Sequence, residues 1–100
     1  MKTMQKEYLK LIKNALARGL TISVYDGYEW DLKRSSSYKD IKDSIENLEM
    51  AELRLRDQAG QPVGWAMIIP DLEPDETIAD CTYNQLMHEL LGWRWEEITN

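Results

Sequence analysis

Phenylalanine is absent from this chain, cysteine and histidine occur once each, and there are only three prolines and five glycines in 100 residues. Each scarcity removes a class of protein. A single Cys81 cannot form an internal disulfide, which excludes a disulfide-stapled scaffold and points to a reducing, cytoplasmic compartment. One cysteine and one histidine cannot build a four-ligand nitrogen and sulfur site without carboxylates, so no structural zinc, and no other metal or cofactor, is expected. No apolar run approaches the ~20 residues of a membrane span. The opening residues Met1 to Glu7 lack the apolar core of a secretory leader, so cytoplasmic residence is again the expectation. There is no glycine-rich phosphate loop, His-Glu-x-x-His or paired-cysteine motif, and a non-enzymatic protein is expected.

What is present describes one soluble domain spanning residues 1–100. Hydrophobic residues make up 43% and charged residues 30%, an ordinary globular balance with enough apolar surface for a core. The net charge of −6 is unevenly spread. Residues 1–18 carry Lys2, Lys6, Lys10, Lys13 and Arg18 against Glu7, a local net of +4. Residues 71–100 carry eight carboxylates against Arg94, a net of −7. A basic start and an acidic end complement each other within one fold, or between copies in a homodimer.

Periodicity supplies the architecture. Tyr8, Leu11, Ile12, Ala15 and Leu16 fall at helical spacing, with Lys6, Lys10 and Lys13 on another stripe. Arg18-Gly19 is a natural stop, a cation followed by the residue that tolerates left-handed geometry. Leu20–Tyr25 and Tyr28–Lys33 then alternate around Asp26-Gly27, a strong type I′ hairpin signal. In the second run Tyr28, Trp30 and Leu32 are expected to face the core. Ser37 is a candidate N-cap for a helix whose dry stripe is Tyr38, Ile41, Ile45 and Leu48. A second hairpin joins Ala51–Arg56 to Val63–Ile69 through Ala59-Gly60-Gln61-Pro62. Asp75 or Thr77 is expected to cap a last helix with Tyr83, Leu86, Met87, Leu90 and Leu91 inside and Gly92 as its stop. These signals predict an α+β fold, α-β-β-α-β-β-α, with two hairpins in a four-stranded antiparallel sheet and helices on one face. The two helix-hairpin passes share pattern but hardly any identity.

Three groups of residues are candidates for binding. The first is the acidic loop, where Asp71, Glu73, Asp75 and Glu76 can mimic phosphates toward a basic partner, or simply solvate a loop and favour the positive end of the following helix. The second is Trp93 and Trp95, core residues if buried and interface anchors if exposed. The third joins Lys6, Lys10 and Lys13 of the basic helix to Tyr25, Arg54 and Arg56 of the outer sheet face. These could grip nucleic acid, although Glu29, Asp31 and Glu52 share that face and disfavour phosphate. Ala66 and Ile68 are expected on the same outer face. Cys81 and His88, seven residues apart, read as a buried thiol and a surface imidazole, too distant for a direct nucleophile and base.

The string Thr21-Ile22-Ser23-Val24-Tyr25-Asp26-Gly27-Tyr28-Glu29-Trp30 with Lys33-Arg34-Ser35, Val63-Gly64-Trp65-Ala66, Ile69-Pro70, and Pro74-Asp75-Glu76-Thr77-Ile78-Ala79-Asp80 resembles a family of small acidic proteins encoded by bacteriophages and prophages. The likeness covers roughly residues 8–91 and carries no catalytic residue. It implies an accessory protein of the bacterial cytoplasm that binds a host protein complex, as an inhibitor of a defence or regulatory system. Nucleic-acid binding is the alternative.

Overall fold

The computed structural model describes residues 6–91. Helix α1 (Glu7–Ala17) is followed by strands β1 (Thr21–Tyr25) and β2 (Trp30–Ser35), helix α2 (Tyr38–Glu46), strands β3 (Ala51–Arg56), β4 (Pro62–Ile68) and β5 (Ile78–Cys81), and helix α3 (Gln85–Leu91). The class is α+β as the periodicity predicts, with one more strand than expected. The five strands form one antiparallel sheet in the order β2-β1-β3-β4-β5. The two hairpins therefore meet through β1 and β3, where Ile22 pairs with Leu55 and Val24 with Leu53.

All three helices lie on one side. α1 packs between α2 and α3, α2 reaches β1 and β2, and α3 reaches β4. Tyr8, Leu11 and Ile12 of α1, Ile41 and Ile45 of α2 and Met87 of α3 are fully buried against Ile22, Leu53, Leu55 and Ile68. Fully burying one such aliphatic side chain contributes about 1.5–3 kcal/mol, so this single layer of contacts dominates the fold.

The helix ends follow their sequences. Leu20 N–H donates to Ala15 O and Gly19 N–H to Leu16 O, the paired bonds of a Schellman stop, with Gly19 at φ +80°. Ser37 Oγ accepts from Asp40 N–H at 3.2 Å, the N-cap expected for α2. α1 begins differently. Lys6 offers no side-chain cap, and Glu7 N–H donates to Pro74 O (2.8 Å) and Tyr8 N–H to Thr77 Oγ1 (3.2 Å). The loop after β4 thus supplies acceptors to a helix start far away in sequence.

Four expectations are corrected. Ile78–Cys81 is the edge strand β5 and not helix, and α3 is capped by Asn84, whose Oδ1 accepts from Met87 N–H at 2.8 Å. Asp75 and Thr77 cap no following helix, Tyr83 is exposed, and Gly92 lies outside the described residues. The first hairpin closes through the four residues Asp26–Glu29, not through a two-residue type I′ turn: Tyr25 pairs with Trp30, and Asp26 Oδ1 accepts from the N–H groups of Tyr28 and Glu29. This leaves Tyr28 exposed. Finally, Ala66 and Ile68 face the core, because Leu53 pairs with Ala66 and Ala51 with Ile68.

Candidate functional site: the uncovered face of the sheet

Reversing the parity of β4 changes the outer face. Trp65 and Met67 point away from the helices, so Ser23, Arg54 and Trp65 stand in one cross-strand row and Tyr25, Glu52 and Met67 in the next. Among the described residues no helix covers this side. β2 adds Trp30, which packs edge-on against Tyr25 with ring centroids 5.1 Å apart. Three aromatic rings and a methionine thus occupy a face where alternation alone would place polar residues.

The register of β2 explains how Trp30 gets there. Val24 pairs with Leu32 while Ile22 pairs with Ser35, and Val24 and Tyr25 pair with Leu32 and Trp30. Each interval holds one extra residue on β2, so two bulges interrupt the alternation. One bulge contains Arg34, whose φ of +46° is left-handed. Its N–H donates to Ser23 Oγ at 2.8 Å. At the other bulge Asp31 turns toward α2 and accepts from the Ser44 hydroxyl.

Cations gather at two places on the face. Lys33, Arg34, Arg54 and Arg56 line two shallow depressions on it. One is formed by Ser23, Trp30, Lys33, Arg34 and Arg56, and the other includes Arg54, Val63, Trp65, Thr82 and Asn84. None of the four cations meets a carboxylate at ion-pair distance among the described residues, whose ion pairs are Arg18–Glu89, Lys39–Asp43 and Lys42–Glu46. Asp31 leaves the face, whereas Glu52 stays on it, as does Asp80, which pairs with Met67 from β5. Asp31 is held by Ser44, and Glu52 Oε1 accepts from Trp65 Nε1 at 3.0 Å. Glu29 lies exposed in the hairpin loop beyond the strand.

The remaining candidates distribute as follows. Asp71, Glu73, Asp75 and Glu76 are all exposed on the loop that serves α1. Trp93 and Trp95 lie outside the described residues. Lys6 Nζ donates to Pro70 O, Lys13 Nζ sits 5.3 Å from the centre of the Tyr38 ring, and Lys10 is exposed. Lys10 and Lys13 belong to α1 and Lys6 immediately precedes it, on the helical side of the sheet. They do not join Tyr25, Arg54 and Arg56, so the composite basic surface is split between opposite sides. Cys81 is buried on β5 and His88 half-buried on α3, so they share no helix.

Trp30 and Trp65 are the residues that sequence reasoning misplaced or passed over. For Trp65 a signal existed: Gly64, Ala66 and Ile68 are the parity that pairs with Leu55, Leu53 and Ala51. For Trp30 there was none, since bulges leave no mark in the alternation itself.

No family model matches the chain, and no solved structure matches it. An ATP phosphoribosyltransferase of Thermodesulfovibrio yellowstonii is 30% identical over 81 residues, which make up 81% of this chain and 23% of that protein. The chain spans about a quarter of the length of the curated relative it matches.

Proposed function

We propose that this protein acts by binding and not by catalysis, and that it holds a single-stranded nucleic acid across the outer face of its sheet. One observation carries the reading: Tyr25, Trp30 and Trp65 share an uncovered face with Lys33, Arg34, Arg54 and Arg56, none of which is ion-paired among the described residues. Bases stack on aromatic rings irrespective of sequence, and cations between the rings follow the phosphates. Much of the acidic total lies elsewhere, since Asp71, Glu73, Asp75 and Glu76 sit on the loop that serves α1, a helix of the opposite side, while Glu52 and Asp80 remain on the outer face in the row of Tyr25 and Met67. The partial match to a protein named for ATP is in keeping with a ligand made of bases and phosphates.

Titration of the full chain with fluorescent single-stranded oligonucleotides tests the reading. Log affinity is expected to fall with log salt by about 0.7 for each phosphate neutralised. Arg54→Ala is expected to lower that slope by about one contact, and Trp65→Ala to cost about 1–3 kcal/mol, the scale of one stacked base. Absence of binding even at low salt overturns it.

A second reading rests on the loop itself. It is tied to α1 through the Pro74 carbonyl and the Thr77 hydroxyl while its four carboxylates stay exposed, a fixed acidic surface suited to a basic protein partner. With the likeness to phage-encoded proteins, this supports an accessory factor of the bacterial cytoplasm that inhibits a host complex. A salt-sensitive complex captured from host lysate should then be lost on charge reversal of Asp71, Glu73, Asp75 and Glu76. Capture that survives the reversal rules the loop out.

A further inference from the structure

We propose that the bulged end of β2 and the β3–β4 turn form a discrete nucleotide pocket, in which Lys33, Arg34 and Arg56 hold a phosphate and Trp30 stacks on the base. This rests on the reading of the outer face as a nucleic-acid surface and assigns its phosphate subsite.

Two guanidinium groups converge on one glycine. Arg56 Nη1 donates to Gly60 O at 3.0 Å, and Arg34 Nη1 approaches within 3.9 Å of the position a Cβ would take on Gly60. Lys33, Trp30 and Ser23 complete the lining, and no carboxylate is part of it. The acid of the same turn is occupied elsewhere, since Asp57 Oδ1 accepts from the N–H groups of Ala59 and Gln61, each at 2.9 Å. Three cations brought together without a counter-ion repel one another, and a phosphate with several oxygens relieves that repulsion while matching the forked geometry of arginine.

A charged, bulged strand at a sheet edge also discourages pairing with other chains, and β2 is an edge strand. Edge protection does not explain the arrangement. Arg56 belongs to the interior strand β3, and the Arg34 side chain reaches past β1 to the turn that follows β3. Its backbone is fixed for this in a left-handed conformation, anchored by the bond from its N–H to the buried Ser23. Trp30 is braced by Tyr25 and remains 38% exposed, which leaves ring surface for a base.

The decisive variant is Arg34→Gly, because glycine accepts the positive φ while the whole side chain, guanidinium included, is removed. The intact chain is titrated calorimetrically with AMP, ATP and inorganic phosphate, and with oligonucleotides bearing or lacking a 5′-phosphate. AMP and ATP are expected to bind and to shift the indole N–H resonance of Trp30. Arg34→Gly should weaken them at least about tenfold, the scale of one charged hydrogen bond, with an unchanged melting temperature. A preference for the 5′-phosphorylated strand identifies a strand terminus as the natural source, and equal binding of both strands identifies the free nucleotide. Either result supports the pocket. Nucleotides that do not bind, or that bind Arg34→Gly as well as the parent, overturn it, and oligonucleotide binding that persists in that case leaves the strand reading standing. Inorganic phosphate binding as tightly as AMP overturns the role of Trp30. Nucleotide binding without any added affinity for a longer strand overturns the strand reading and keeps the pocket.

Discussion

Tyr8 shows how much one buried polar atom can govern. Its side chain is fully buried under the helical layer, and burial first, then the nearby Glu46 carboxylate, Tyr38 and Asp71, push its phenol up to about 12. The folded protein therefore keeps the proton over a range where the unfolded chain, titrating near the ordinary 10, has lost it. The folded state binds more protons in that window, so stability falls as pH rises. The contribution is complete below pH 10 and is lost progressively up to about 12. Unfolding free energies from denaturant titrations at pH 8 to 11 should decline in the parent, by up to about 1.4 kcal/mol per pH unit above 10. Tyr8→Phe should decline less. Parallel profiles for the two proteins would show that the phenol is not responsible. Asp26 is the opposite case: bonds from the N–H groups of Glu29 and Tyr28 hold its carboxyl below the usual carboxylate range.

At the scale of elements, legibility followed the locality of the cause. The Schellman stop at Gly19 and the Ser37 cap depend on residues within one turn, and the sequence displays them fully. The β3 alternation of Ala51, Leu53 and Leu55 is equally local. β4 was ambiguous because Val63, Trp65 and Met67 are as apolar as Ala66 and Ile68, so hydrophobicity could not choose its inner side. Pairing with β3 chooses it, through the contacts of Leu53 with Ala66 and Leu55 with Gly64. Gly64 leaves room for Met87 of α3, whose Sδ would lie 2.7 Å from a Cβ there and would have to shift. β5 was hidden because four residues with polar neighbours resemble a capped helix start, and its strand character arises only from lying beside β4. The candidate site inherits these difficulties. Arg54, Arg56, Tyr25 and Lys33 were visible from simple alternation, whereas Trp30 and Arg34 owe their positions to two bulges, and Trp65 to the parity of its strand.

At the scale of the molecule, the first and last helices are tied into one structure. α1 and α3 meet within the fold, as Arg18 pairs with Glu89 at 2.5 Å and Asn14 Nδ2 donates to Leu90 O at 2.8 Å. α1 starts on acceptors from Pro74 and Thr77 and cannot satisfy those N–H groups locally. A helix of 11 residues is marginal by itself in water, and its cap here arrives only when the β4–β5 connection is in place. α1 should therefore unfold with the sheet and not before it. Native-state hydrogen exchange is expected to give the buried amides of Leu11 and Ile12 the same opening free energy as those of Leu53 and Leu55 at the centre of the sheet. Thr77→Val keeps the shape of a fully buried side chain and removes the acceptor of Tyr8 N–H. It should lower both groups together by about 1–3 kcal/mol, the cost of a buried donor left without its acceptor. If Leu11 and Ile12 instead open far more readily than Leu53 in the parent protein, or if the substitution loosens only α1, the helix is a separable layer. The chain would then be two cooperative units in place of one.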